Sequence, residues 1–380
     1  MHNLRRLFRL DPDVTFLNHG SFGAVPRPVF RDYQSWQREL ERQPVEFLGR
    51  RFTPLMLTAR SSLADYLHTF PSNVVFTPNV TVSINIVARS LDLAEGDEVL
   101  STDHEYGACD RTWRFLSSQK GFRYVQQPIP LPIQSEDELI NLLWKGVTSK
   151  TKVIFLSHIT SPTATIFPVA AVCERARQEG VLTVVDGAHA PGQVPLDMEF
   201  IGADFYGGNL HKWLCAPKGA GFLYAHPSVQ HWLKPLIVSW GYESENPSNS
   251  KFVDYHEWTG TRDIAAYLAV PAAIKFQADQ NWESIRRDCH ILAKEAQQRI
   301  CELTGHAPLH ADESCFGQFV SIPLPDQISP ALLQEALYGR YKVEVPILAW
   351  KDRKLIRVSV QGYNTRRDID KLLIGLEQLL

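Results

Sequence analysis

The sequence predicts an α/β fold, with a large domain built on a mainly parallel sheet and a smaller α+β unit at the C-terminal end. Two observations support this prediction. Short apolar, β-branched segments alternate with helical segments over the first two-thirds of the chain, and after about residue 270 a long helical pattern is followed by mixed short strands and helices. The predicted boundaries place 26–270 in the large domain and 1–25 together with 271–380 in the small one.

The apolar segments of the large domain are predicted to be strands buried on both faces, because they lack the polar alternation expected when one face meets water. These strands are expected at 74–77, 98–102, 152–158, 181–186 and 219–225, and the helices among them at 81–91, 108–119 and 169–179. The small unit follows with helix 281–303, strand 319–322, helix 330–338, an extended stretch at 343–360 and a closing helix from Thr365. The polar, turn-rich segment 243–252 predicts a surface loop.

The composition excludes several classes of protein. Of the 380 residues, 44% are hydrophobic and 21% are charged, as in ordinary globular proteins, and the net charge of −3 offers no field for nucleic acid or an anionic membrane. The apolar segments are too short to span a membrane, and the start MHNLRRLFRL predicts a short surface helix rather than a signal peptide. The six cysteines form no CxxC pair, which argues against a metal cluster or a disulfide scaffold. We therefore expect a cytoplasmic protein that acts on a small molecule.

Polar side chains follow the predicted strands, at the sheet edge where ligands bind in such folds. Asn79, Val80 and Thr81 open a helix directly after strand 74–77, and a helix N-terminus suits a phosphate, although Asn and Thr are also ordinary helix caps. His104, after the next strand, is suited to stack on a flat ring, although a hydrogen-bonded loop histidine is the commoner case. The sequence thus indicates a ligand site at this edge.

Three further residues are candidates for chemistry at the same edge. Ser161 is suited to anchor a ring hydroxyl, or it simply forms a turn. Asp186 directly follows five mostly apolar residues, where a carboxylate is desolvated and needs a partner, although it could also cap the next turn. Lys212 stands between His211 and Trp213 in an otherwise apolar segment, so it either reaches water or is used as a nucleophile.

Together these residues describe a site for pyridoxal 5′-phosphate (PLP). Lys212 would hold the cofactor aldehyde as a Schiff base, and Asp186 would pair with the pyridine nitrogen and keep it protonated. At about 4 Å and an effective dielectric constant near 20, that attraction is roughly 4 kcal/mol, or about three pKa units. Arg357 lies within an apolar strand, where its guanidinium needs either a substrate carboxylate or an internal acid.

The chain resembles the class V aminotransferase group of fold-type I PLP enzymes, and within it isopenicillin N epimerase and its relatives. The resemblance begins at Phe16-Leu-Asn18-His19-Gly20-Ser-Phe-Gly23 and extends to the last helix. Its most specific motifs are Asp186-Gly-Ala-His189, Asn209-Leu-His211-Lys212-Trp213, Trp258-Thr-Gly-Thr261-Arg262 and Arg357-Val-Ser-Val-Gln-Gly-Tyr363-Asn364-Thr365.

The resemblance implies a role for each candidate residue. It implies that Lys212 is the Schiff-base lysine, Asp186 the pyridinium partner and His104 the stacking residue. The ring oxygen would be faced by His189 and Ser161, and the substrate would be bound by Arg357 and Asn18. The phosphate ligands would be Asn79, Val80, Thr81, Asn209 and His211, with Thr261 of a neighbouring subunit. A homodimer with a shared site is therefore expected.

The expected function is that of a PLP enzyme acting on an amino acid or an amino-acid-bearing small molecule. Epimerisation is favoured by the resemblance, with Lys212 removing the Cα proton and a second acid, which the sequence does not identify, returning it. Transamination, decarboxylation and β-elimination of sulfur are alternatives on the same scaffold. Cysteine desulfurases of this group carry a nucleophilic cysteine before the carboxylate-binding arginine, and segment 344–354 has none, which argues against a persulfide mechanism.

Two alternatives belong to different functional classes. One is a PLP-binding protein without catalytic activity. The other is a metallohydrolase that uses His104, His158, His189 and His211, whose spacings match no standard metal motif.

Overall fold

The computed structural model describes residues 4–380. Residues 1–3, which belong to the predicted small unit and to the predicted N-terminal surface helix, lie outside the described residues. Of that helix, Arg5–Leu7 forms a single 3-10 turn. Within the described part of the chain, no helix is both long enough and apolar enough to cross a membrane.

The strands and helices are numbered in chain order. The strands are β1 (Thr15–Phe16), β2 (Val74–Thr77), β3 (Glu98–Thr102), β4 (Arg123–Gln127), β5 (Thr151–Ser157), β6 (Leu182–Gly187), β7 (Phe205–Asn209), β8 (Gly221–Ala225), β9 (Phe319–Leu324), β10 (Val343–Glu344), β11 (Ile347–Trp350) and β12 (Arg353–Ser359). The helices are α1 (His19–Phe22), α2 (Arg27–Arg42), α3 (Phe52–Tyr66), α4 (Val80–Ser90), α5 (Gly107–Lys120), α6 (Glu136–Trp144), α7 (Val169–Gln178), α8 (Met198–Ile201), α9 (Lys251–Glu257), α10 (Ala265–Leu268), α11 (Val270–Asp279), α12 (Trp282–Thr304), α13 (Pro330–Tyr341) and α14 (Arg366–Leu379).

The large sheet has seven strands in the order β2-β8-β7-β6-β5-β3-β4. Strand β8 is antiparallel to both of its neighbours, and the other strands share one direction. The predicted α/β class with a mainly parallel sheet is therefore confirmed. Strand β8 reverses because it returns directly beside β7 after a loop at 210–220, without a crossover helix.

Apart from the edge strand β4, whose residues are exposed or half-buried, the strands of this sheet are largely buried on both faces, as their apolar sequences predict. In β5, Val153 and Phe155 join the apolar core shared with α4 and α5, whereas Ile154 and Leu156 join the core on the opposite face. Helices therefore cover both faces of the sheet, and the carboxyl ends of the strands form the edge that remains open to a ligand.

Strand β7 was not predicted, because Gly207 and Gly208 in its middle are typical of a loop. Glycine is required at one of these positions, since a Cβ on Gly208 would lie 2.1 Å from the ring of Phe222 in β8. The close approach of two strands therefore explains the composition of β7. The prediction also omitted β4 and the helices α2, α3 and α6.

A second, antiparallel sheet of order β11-β12-β9 lies in the C-terminal part of the chain and carries Arg357 on β12. The N-terminal segment joins this part, because β1 pairs in parallel with β10 and Asn18 forms a bridge with Ser359. The division of the chain at residue 270 stays a prediction. The predicted surface loop is exposed or half-buried up to Ser250, which caps helix α9.

Candidate active site

A cavity of about 250 Å³ lies at the carboxyl ends of the strands of the large sheet. Parallel strands bring residues from distant parts of the chain to this one edge. The cavity is lined by Ser21, Phe22, Asn79, Val80, Thr81, Tyr106, Ser157, Ile159, Ser161, Asp186, Ala188, His189, Asn209, His211 and Lys212. Most of the residues that the sequence singled out are therefore brought together.

Lys212 lies in the loop between β7 and β8 and supplies an amine to the cavity. Its Nζ is 3.0 Å from Nε2 of His189, and its carbonyl oxygen accepts a hydrogen bond from Nε2 of the buried His19 at 3.0 Å. Burial, and then the positive charge of Arg357, lower the pKa of Lys212 to about 7. A large fraction of this amine is uncharged at neutral pH, and an uncharged amine is the nucleophilic form.

Asp186 is the penultimate residue of β6 and is buried beside the cavity. Its Oδ1 accepts the amide N–H of Ala188 at 2.8 Å, so it does cap the next turn, and its Oδ2 faces the thiol of Cys109 at 3.4 Å. Burial raises the pKa of Asp186. Within residues 4–380, no Lys, Arg or His lies at ion-pair distance from this carboxylate. A buried carboxylate without a cation fits the protonated ring nitrogen of PLP.

Glu105 is a second buried carboxyl group near the cavity, and it was not predicted. Its two oxygens accept hydrogen bonds from the hydroxyls of Thr102 and Ser157, both at 2.6 Å. Burial raises the pKa of Glu105 to about 8, so the group is largely protonated at neutral pH and adds little negative charge beside Asp186. Sequence reasoning missed Glu105 because this residue lies three positions beyond the end of β3, whereas Asp186 follows an apolar segment directly.

The residues predicted to bind phosphate lie together at the N-terminus of α4. Asn79 caps this helix of 11 residues, and the Oδ1 of Asn209 accepts the amide N–H of Val80 at 2.9 Å. Thr81 and His211 complete this part of the wall. Burial, and then the charge of Lys212, lower the pKa of His211 to about 4, so it is neutral. The helix N-terminus and its polar neighbours fit a phosphate group.

The structure corrects the role predicted for His104. This side chain is completely buried and does not line the cavity. Its two ring nitrogens bond to the hydroxyl of Thr163 at 2.8 Å and the carbonyl of Ile129 at 2.7 Å, and its ring packs against Trp350. His104 is thus the hydrogen-bonded loop histidine of the alternative interpretation. Tyr106, an aromatic residue that does line the cavity with 45% of its surface exposed, is in the position to stack on a ring.

Arg357 reaches the wall of the cavity through two serines. Its guanidinium donates to the carbonyl and hydroxyl oxygens of Ser161 at 2.7 and 3.0 Å and to the hydroxyl of Ser21 at 3.2 Å, while its Nε has no partner. Burial lowers the pKa of Arg357 to about 10, so it stays charged at neutral pH. No carboxylate of the described chain lies at ion-pair distance from it. The guanidinium therefore fits a substrate carboxylate, and no internal acid takes that place in residues 4–380.

Two more predicted site residues, Asn18 and Thr261, do not line the cavity. The amide of Asn18 donates to Glu344 at 2.9 Å, and its oxygen accepts from Ser21, so Asn18 supports the serine that holds Arg357 rather than touching a substrate directly. Thr261 is exposed in the segment after α9, and its role in a neighbouring subunit stays a prediction.

The four histidines of the metallohydrolase alternative do not converge. His158, for example, bonds to the hydroxyl of Tyr206 at 2.8 Å, and His211 donates to the carbonyl of Ala220 at 3.2 Å. Within the described residues, no group of three or more His, Cys, Asp or Glu side chains is arranged to hold a metal ion. The geometry therefore gives no support to that alternative.

Three kinds of similarity to known proteins support this interpretation: a family pattern, related sequences and a solved structure. The pattern of the class V aminotransferase family matches residues 24–372. The chain is 38% identical to an isopenicillin N epimerase of Amycolatopsis lactamdurans, over 99% of this chain and 98% of the relative. It is 28% identical to a probable chloroplastic L-cysteine desulfhydrase of Arabidopsis thaliana, over 97% of this chain and 84% of the relative. A cysteine desulfurase of Thermococcus onnurineus NA1 shares the fold, with a TM-score of 0.85 over 99% of this chain and 97% of that one at 19% identity. The fold-type I architecture is thereby confirmed.

Proposed function

The chain belongs to the class V aminotransferase family, whose cofactor is pyridoxal 5′-phosphate, and from that premise we propose that it is an epimerase acting at Cα of an amino acid or an amino-acid-bearing small molecule. The observation that supports this proposal best is that Lys212 and Asp186 line one cavity, with Arg357 directly behind Ser21 and Ser161 of its wall. Each carries a charge or a reactive amine, and none of them has an ion-pair partner within residues 4–380.

The residues of the cavity fit the cofactor at each of its parts. The N-terminus of α4 with Asn209 and His211 would hold the phosphate, Asp186 the ring nitrogen and Tyr106 the ring face. When bound, the cofactor withdraws electrons from Cα of an attached amino acid, so that a bond to Cα can break. The remaining chemistry belongs to the protein.

Lys212 is the group that can take the Cα proton. With its pKa lowered to about 7, it is close to the value at which a general base works best at neutral pH. Its neighbour His189 is a poor competitor for that proton, because burial, and then the charge of Lys212, hold the pKa of His189 well below the usual range. A proton taken from the substrate therefore resides on Lys212.

Arg357 is proposed to bind the substrate carboxylate. The fork of a guanidinium matches a carboxylate with two parallel hydrogen bonds, and such a pair fixes orientation as well as position. Ser21 and Ser161 hold the fork from the protein side. A fixed carboxylate in turn directs Cα towards one side of the cavity, which is what stereochemical control at Cα requires.

A carbon–sulfur lyase is the second candidate, and the desulfhydrase relative supports it. The epimerase and the lyase share the loss of the Cα proton to Lys212. They differ in the next step, since an epimerase returns a proton to the opposite face and a lyase expels a group from Cβ. A desulfurase that forms a persulfide on a cysteine is not proposed, because none of the residues lining the cavity is a cysteine.

We also propose a cytoplasmic homodimer in which each subunit completes the other's site. Phe22 lines the cavity with 71% of its surface exposed, and a large apolar side chain at a cavity mouth is suited to being covered by a second subunit. The exposed position of Thr261 is compatible with the role predicted for it in the neighbouring site.

The proposal is tested by NMR of PLP-loaded protein in heavy water with single amino acids and an α-aminoadipyl peptide. An epimerase incorporates deuterium at Cα while the opposite stereoisomer accumulates. Pyruvate and ammonia would instead identify a lyase, and a keto acid formed only with an amino acceptor would identify an aminotransferase.

The matched control is Lys212→Ala, which leaves Arg357 and the phosphate-binding residues in place. It should abolish deuterium incorporation with every substrate. Exchange that persists in this variant would contradict the assignment of Lys212 as the base, and absence of exchange in the unaltered protein with the whole panel would contradict the epimerase proposal.

A further inference from the structure

The indole of Trp213 makes one hydrogen bond with a specific direction. Its Nε1 lies 3.2 Å from Nδ1 of His189. An indole N–H can only donate, so Nδ1 of His189 must be the acceptor and carries no proton. The contact between these two side chains therefore fixes the protonation state of Nδ1, one of the two ring nitrogens of His189.

The other ring nitrogen of His189 then carries the proton. His189 is only 2% exposed and stacks on Phe319, with ring centroids 4.8 Å apart and an interplanar angle of 19°. Burial, and then the charges of Lys212 and Arg357, lower the pKa of His189 well below its usual range, so the ring is neutral. A neutral imidazole has one N–H, and with Nδ1 accepting from Trp213 that N–H is at Nε2.

The Nε2–H of His189 points at the amine of Lys212, whose Nζ is 3.0 Å away. Two donors cannot share this contact, so Nζ accepts the hydrogen bond with its lone pair. In the opposite tautomer, a Lys212 ammonium would donate to Nε2, but an N–H at Nδ1 would then face the N–H of Trp213 and leave both without an acceptor. A buried donor without an acceptor is destabilising.

We propose that Trp213 is a positioning residue that fixes the tautomer of His189 and thereby holds the amine of Lys212 in its uncharged, accepting state. Trp213 does not line the cavity, so it would act only through His189. The role of Lys212 as the reactive amine rests on the proposed function. The contact between Trp213 and His189 is a property of the protein alone.

The indole is held firmly enough to perform this role. The backbone carbonyl of Trp213 accepts a hydrogen bond from the side-chain amide of Gln277 at 2.7 Å. The indole ring packs against Phe319 and His19, with centroids 5.4 and 5.1 Å away. The main chain also passes close by, since a Cβ on Gly192 would lie 2.3 Å from the backbone carbon of Trp213. The direction of the indole N–H is thus set by packing on several sides.

The experiment compares the unaltered protein with Trp213→Phe, which removes the N–H and keeps an aromatic ring. Two-bond ¹H–¹⁵N spectra of protein labelled at the histidine rings report which nitrogen of His189 is protonated. The unaltered protein should show the proton at Nε2, and the variant should show a mixture with Nδ1. Reductive methylation of the cofactor-free protein at a series of pH values, read by mass spectrometry at Lys212, should show the pKa of that amine rising by about one unit in the variant.

The matched control is Trp282→Phe. Trp282 is also buried, and its indole donates to the carbonyl of Gly192 at 3.0 Å, so the control loses a buried indole hydrogen bond without touching His189. The other groups that act on the charge of Lys212 are Arg357, Asp186 and Cys109, and His211 acts on His189; both variants leave all of them unchanged. The control should keep the Nε2 tautomer and the pKa of Lys212.

The inference fails if the unaltered protein carries the proton at Nδ1, or if Trp213→Phe changes neither the tautomer nor the pKa of Lys212. Should the variant not fold, a scalar coupling across the N–H···N bond between Trp213 and His189 in the labelled, unaltered protein decides the matter, and its absence refutes the contact. None of these outcomes bears on whether the protein binds PLP at Lys212, which is measured separately by the visible absorption of the loaded protein.

Discussion

The lowered pKa of Lys212 leads to a prediction that can be tested without cofactor or substrate. An ordinary lysine has a pKa of 10.5, and burial with the neighbouring charge of Arg357 lowers that of Lys212 to about 7. At pH 7 the uncharged fraction is then about one half, against about 0.03% for an ordinary lysine, a difference of roughly 1,500-fold. The variable in the experiment is the pH itself.

The sign of the pH dependence follows from the uncharged form being the reactive one. The rate at which a small aldehyde and a reductant modify Lys212 in the cofactor-free protein should rise about tenfold per pH unit below 7 and level off above about pH 8. The comparison is a free lysine derivative whose α-amino and carboxyl groups are blocked, and its rate of modification should keep rising to about pH 10. A rate at Lys212 that also continued to rise to pH 10 would refute the reasoning.

Three further predictions concern other parts of the site. Because burial raises the pKa of Asp186, ionisation of this carboxyl group lowers the stability of the folded protein as the pH rises. The variant Asp186→Asn should therefore weaken PLP binding but raise the free energy of unfolding of the cofactor-free protein, measured in urea at pH 7, by on the order of 1–2 kcal/mol. A cofactor-free variant less stable than the unaltered protein would contradict the account. Arg357→Gln should weaken the binding of a substrate carboxylate by about 10- to 100-fold, measured by spectral titration of the loaded protein, with PLP binding retained. Tyr106→Ala should raise the dissociation constant of PLP about tenfold with little change in thermal stability. His104→Ala should instead lower the free energy of unfolding by about 2 kcal/mol, because it removes two buried hydrogen bonds. The reverse pattern would restore His104 as the stacking residue.

The parallel sheet and its ligand edge were predictable because most of the strands are largely apolar and polar residues follow them at the sheet edge. Asp186 and Lys212 stood out since a charge beside buried segments has few structural explanations. The sequence did not reveal the direction of β8, because a strand buried on both faces has the same apolar pattern whichever way it runs.

The error over His104 has a physical cause. His104 and Tyr106 lie in the short turn that follows β3, and the backbone of a turn does not follow the periodicity that assigns side chains to faces in strands and helices. Either aromatic side chain could have faced the cavity. The contact between Trp213 and His189 was hidden for a different reason, since hydrogen bonds between residues far apart in sequence depend on tertiary packing.

The central claim is that PLP is bound at Lys212, and one measurement tests it directly. PLP-loaded protein is reduced with borohydride, digested and examined by mass spectrometry, which identifies the lysine that carries the cofactor. We expect the modification at Lys212, and its loss in Lys212→Ala. A cofactor fixed instead to the nearby Lys218, or to no lysine, would contradict the account.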